Sequence, residues 1–171
     1  MKKIVLFGFI LLGLVMVYMV TYSQSPDDKA KTLIRNSIEK TLAHPESYEA
    51  LETVVDSAFA PFDDPAFFNK TLEICKMNLN ELDDSRIAEI QDGIQMLCDM
   101  MGTEYRFIGY KVTHRYSFKE SDDESFIGEN VYILDEDMNT ILAEYDTGSP
   151  DYIMVQTMYN LWRNESLNNQ K

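Results

Sequence analysis

Between Tyr105 and Phe118 the chain alternates without a break. Ile108, Tyr110, Val112, His114, Tyr116 and Phe118 occupy one set of positions; Lys111, Thr113, Arg115, Ser117 and Lys119 occupy the other. A period of two sends successive side chains to opposite faces of an extended backbone, so the segment is a strand with one apolar and one polar face. One strand buries too little to stand alone, and partners must follow. Phe126 to Leu134 and Thr140 to Tyr145 are two further short runs rich in strand formers, joined by the turn Asp135-Glu136-Asp137-Met138-Asn139. The expectation is an antiparallel meander over about 105–146, half-buried on one face. Tyr48 to Phe59, centred on Val54-Val55, reads as extended and supplies a candidate edge strand.

The remaining periods are helical. Asp27 to Leu42 places Ala30, Leu33, Ile34, Ser37, Ile38 and Leu42 on one stripe, and Pro45 ends it because the residue before a proline is pushed out of the helical region. Asp63 or Asp64 caps the next helix, with Pro65 in its first turn. From Ala66 to Met101 the apolar stripe slips at Asp83-Asp84-Ser85, which predicts a helical hairpin over about 64–102. Ser149-Pro150 opens a last helix carrying Ile153, Met154, Met158, Leu161 and Trp162. Helix, strand, helices, three strands and helix in that order predict an α+β fold, helices packed on a small antiparallel sheet, in one domain over 24–171.

Ahead of that domain, Met1-Lys2-Lys3 precedes seventeen residues, Ile4 to Val20, with no strongly polar side chain. At about 1.5 Å per residue this run just reaches across a hydrocarbon layer of about 30 Å, where only a helix satisfies its own backbone. Lysines in front and acids behind, from Asp27-Asp28, place the N-terminus in the cytoplasm and the domain outside. Residues 1–23 therefore read as a membrane anchor or a signal peptide, with residues 4–22 in the membrane. The run exceeds a typical signal core and its best cleavage site, Thr21-Tyr22-Ser23, is poor, so retention is favoured; cleavage would secrete the same domain.

Charge excludes one class of partner. The chain carries 15 Lys and Arg against 29 Asp and Glu, a net charge of −14, and phosphate backbones repel it, so no nucleic-acid partner is expected. The charges fall in blocks. His44 to Glu104 holds three bases and fourteen acids, Tyr105 to Lys119 four bases and no acid, and Glu120 to Asp151 eleven acids and no base. A basic strand between acidic neighbours suits cross-strand pairing, and the same surplus of acid suits docking of a cationic partner.

Leu42-Ala43-His44-Pro45-Glu46-Ser47-Tyr48, directly after a helix, resembles the L-x-D-P-x-S-Y signature of many small exported bacterial proteins. In those proteins the signature leads into a strand. Later comes a segment like Gly109 to Tyr116, then a glycine and an aromatic strand, here Gly128 to Tyr132. His44 stands where the signature has Asp, and Glu120 to Glu124 replaces a Lys-Asn-Ser-x-Gly loop. The resemblance implies export and an α+β fold and assigns no activity. Physically, Pro45 stops the helix, Glu46 and Ser47 are placed to satisfy turn amides, and Tyr48 anchors an aromatic ring in the core.

Residues with chemistry are few. His44 and His114 are the only histidines, and His114 sits on the apolar face of its strand without a serine or cysteine motif to serve as base. Asp135, Asp137 and Asn139 partly imitate a calcium loop, but Thr140 stands where that loop needs glycine, and Asp and Asn also suit a tight turn. Cys75 and Cys98 fall in the helical region, where they are either joined as a disulfide or separate as small core residues. Met77, Met96, Met100 and Met101 there are either core or a surface that docks a helix. No catalytic residue, cofactor or metal follows from these patterns. The expected function is a non-enzymatic, membrane-anchored interaction or accessory protein with an unknown protein partner. The alternative is a small-ligand or calcium-binding domain using the acidic loops at Asp122–Glu124 and Asp135–Asp137.

Overall fold

The computed structural model describes residues 25–77, 84–102, 105–121 and 124–168. In chain order these form α1 (Pro26–Ile38), a single 3-10 turn (Pro45–Ser47), β1 (Glu49–Ala60), α2 (Pro65–Lys76), α3 (Asp84–Met101), β2 (Arg106–Ser121), β3 (Glu124–Leu134), β4 (Ile141–Asp146) and α4 (Pro150–Asn168). The protein is α+β, with a four-stranded antiparallel sheet in the order β1-β2-β3-β4. The apolar run over 4–20, the segment 78–83 before α3 and the acidic pair 122–123 lie outside the described residues. Among those described, no helix is long and apolar enough to cross a membrane.

Three of the helix starts follow from their sequence. The Ser25 hydroxyl accepts from the Asp28 amide at 3.2 Å ahead of Pro26, and Asp64 Oδ1 accepts from the Ala66 amide at 2.8 Å ahead of Pro65. The Ser149 hydroxyl accepts from the Tyr152 amide at 3.2 Å at the start of α4. In the sheet, Val55 lies opposite Val112, and Val112 opposite Tyr132, so the even positions of β2 share a face with Thr53 and Val55 of β1. Odd positions make a charge ladder on the other face. Arg115 stands between Glu52 and Glu129, and Lys111 stands opposite Asp56. Gly109, at φ +135°, is required where the Leu134 carbonyl crosses β2, since a β-carbon there would lie 2.0 Å from that oxygen.

The sheet is covered on both faces, not on one. α1 lies on the first face, where Ala30, Ile34 and Ile38 pack with Val112, Tyr116, Tyr132, Leu134 and Met138. On the opposite face α2, α3 and α4 build a second core from Phe67, Phe68, Leu97, Val155 and Tyr159. Tyr145 of β4 stacks on Phe68 at 4.1 Å between ring centres and joins that helical layer to the sheet. The buried stripe of α4 is accordingly Tyr152, Val155, Tyr159 and Trp162, while Ile153 and Leu161 are 53% and 54% exposed. Spacings of three and four fit either set. The aromatic set wins because Phe62 and Phe67 give its rings edge-on and tilted partners at 5.3–6.0 Å.

Candidate functional site

The chain turns from α1 into β1 within a few residues, and that corner builds one wall of an open groove. The Ser47 amide donates to the His44 carbonyl at 3.0 Å and the Tyr48 amide to the Pro45 carbonyl at 3.2 Å. Ser47 serves the neighbouring strand rather than the amides of its own turn. Its hydroxyl donates to the His44 carbonyl at 2.6 Å and accepts from the Lys119 amide of β2 at 2.9 Å. Pro45, Ser47 and Tyr48 therefore weld the end of α1 to the far end of the central strand.

Tyr48 then points inward against the first core, and its hydroxyl meets His114 Nε2 at 2.8 Å. The other ring nitrogen, Nδ1, meets the Thr53 hydroxyl at 2.9 Å. The imidazole lies flat against Tyr116, 5.6 Å between ring centres, and is 1% exposed. Burial holds its pKa below the ordinary value of 6.5, a backbone hydrogen bond at Glu52 opposes the shift, and the Lys31 charge adds to it. The ring is thus neutral near pH 7. Its second nitrogen faces a phenol rather than a carboxylate. These hydrogen bonds tie β1, β2 and the corner together.

Outside that tie lies the groove, about 600 Å³, between α1 and the first half of β1. Asp28, Lys31 and Arg35 line it from the helix and Glu49, Leu51 and Glu52 from the strand. Arg35 lies 5.8 Å from the centre of the Tyr48 ring and is bound to Glu39 at 2.6 Å, which fixes its guanidinium beside the corner. β1 ends the sheet: among the described residues no strand pairs with its outer side. At the C-terminal end the edge closes, because the Phe59 amide donates to Asp63 Oδ2 at 2.9 Å and its carbonyl accepts from the Asp63 amide at 3.0 Å. From Glu49 to Ser57 the edge is open, and its charged side chains, Glu49, Glu52 and Asp56, are all acidic.

The remaining sequence candidates fall elsewhere. Asp135 Oδ1 accepts from the Asn139 and Thr140 amides at 2.7 and 3.1 Å, and Lys29 of α1 donates to the Asp137 carbonyl. Those backbone amides hold the Asp135 carboxyl below the usual carboxylate range against the effect of its partial burial, with the Lys29 charge helping. Asp135, Asp137 and Asn139 thus form a hairpin turn in which Met138, at φ 53°, is buried. Among the described residues no group of three or more metal-ligating side chains comes together. Cys75 and Cys98 are free thiols. The pairing of His114 with Tyr48 and Thr53 escaped the sequence reading because its partners lie 66 and 61 residues away. The signal that points to it is Tyr48 at the end of the corner motif. No protein-family model, curated protein or solved structure matches the chain.

Proposed function

We propose that this is a non-enzymatic interaction module, exported and held at the outer side of the cytoplasmic membrane by residues 4–22. In this reading its partner lays an extended, cationic segment along the outer edge of β1. The observation that supports it is the open edge from Glu49 to Ser57 beside a groove of about 600 Å³, with acids and no base along the strand. An unpaired edge offers a row of backbone donors and acceptors that an extended peptide satisfies, and native sheets otherwise cover or charge such edges to prevent it. The acids select a basic segment and reject a second acidic copy of this chain. The apolar run with lysines in front supports the anchoring, and the likeness of the corner motif to exported bacterial proteins supports the location.

The test is chemical cross-linking of the full-length protein in its native membrane, followed by mass spectrometry of the joined peptides. A stoichiometric partner whose linked peptide is Lys- or Arg-rich, lost in the Glu49→Gln, Glu52→Gln, Asp56→Asn triple variant, supports the reading. Retention of the partner in that variant refutes the acidic edge as its docking site.

A further inference from the structure

We infer that the cavity between α2, α3 and α4 is a binding site for a small neutral aromatic molecule. The cavity has a volume of about 220 Å³, is partly open to solvent, and lies on the face of the sheet away from the β1 groove. Among the described residues no charged side chain lines it, in a chain of net charge −14. Among the described residues its one hydroxyl, on Thr71, donates to the Phe67 carbonyl at 2.8 Å within its own helix, so it offers a ligand no free donor. A concave apolar site of this kind takes up apolar ligands in preference to polar ones.

Size and lining narrow the occupant. Benzene, with six carbons, suits a cavity of about 150 Å³, so 220 Å³ suits about nine non-hydrogen atoms. The wall carries four sulfur atoms, from Cys75, Cys98, Met101 and Met158, together with the indole of Trp162. Sulfur packs favourably against ring edges, and indole against ring faces, so this lining favours an aromatic ring over an alkyl chain of equal volume. Entry is from the α3 side, where Cys98 is exposed and Ile94, which also lines the cavity, is 48% exposed. Burial raises the pKa of the deeper thiol, Cys75.

Trp162 is the only tryptophan of the chain and lines the cavity, so its emission responds to an occupant there. The probe is n-propylbenzene, nine carbons, added to the full-length protein in lipid vesicles. The expected result is a saturable change in tryptophan emission, together with saturable protection of Cys75 from N-ethylmaleimide in a Cys98→Ser background. At ten times Kd that protection amounts to about tenfold in rate. Cys75→Phe, which fills the cavity, abolishes the emission change, and Cys75→Ala keeps it; Met158→Phe serves as the blocking variant if Cys75→Phe fails to fold. A response that rises linearly and equally in the filled variant is partition into the bilayer and overturns the site. Saturable binding of n-nonane but not of propylbenzene overturns the aromatic assignment.

Discussion

The two cores on opposite faces of the sheet are built on different principles. Under α1 the buried polar groups are tied. His114 has a hydroxyl on each ring nitrogen, and the Tyr132 hydroxyl donates to Glu144 at 3.1 Å with Asn130 donating to the same carboxylate at 2.7 Å. Under α2, α3 and α4 the core is a nest of rings, and the buried hydroxyl of Tyr145 has no hydrogen-bond partner among the described residues. Burial pushes the Tyr145 phenol up to about 12 and raises that of Tyr159 further. Polar ties fix one arrangement, whereas rings and sulfur adapt to what they enclose. The tied face therefore presents a fixed edge, β1, and the ring-lined face holds a cavity.

The largest effect should come from the ring nest. Phe67 is fully buried against Phe62, Tyr159 and Trp162, and Phe67→Ala should cost about 3–5 kcal/mol in urea unfolding. On the tied face His114→Leu keeps the volume but strands the Tyr48 and Thr53 hydroxyls, and should cost about 2 kcal/mol in the same assay. Conservative changes should then separate the faces by sign. Tyr132→Phe removes a bond to a carboxylate and should destabilise by about 1 kcal/mol, whereas Tyr145→Phe removes an unpartnered hydroxyl and should stabilise by about 1 kcal/mol. Equal signs would erase the distinction between the cores.

The smallest effect is on pH dependence. Because the folded pKa of His114 is held below 6.5, the unfolded chain takes up its proton first as pH falls. Stability from this residue is fully present above 6.5 and declines below it. The slope should be at most about 1.4 kcal/mol per pH unit. Urea midpoints between pH 7 and 5.5 should fall in the wild type and fall less in His114→Gln, which carries no titrating ring.

What the sequence made legible was whatever repeats locally. Period two placed β2 and the polarity of its faces, and period 3.6 placed Ala30, Ile34 and Ile38 of α1 in the core. Proline and a capping acid marked where α2 begins. Choices between two equally spaced stripes were not legible, because in α4 they depend on rings supplied by residues 62 and 67. The second helical layer was also hidden. Val131 and Ile133 are buried on the face that Lys111, Thr113 and Arg115 make polar in β2, so the polar face of one strand did not describe the whole sheet. The candidate groove was half legible: its corner motif and acidic strand are local, while the His114 tie is long-range.

The central claim is that the edge of β1 is where a partner binds. It is tested most directly by placing a photo-cross-linking amino acid at Leu51, which lines the groove and is 47% exposed, and at Leu161, which is 54% exposed on α4. Irradiation of the full-length protein in its native membrane should give a discrete adduct from position 51, linked to a basic extended peptide, and none from position 161. An adduct from position 161 with none from position 51 would contradict the account.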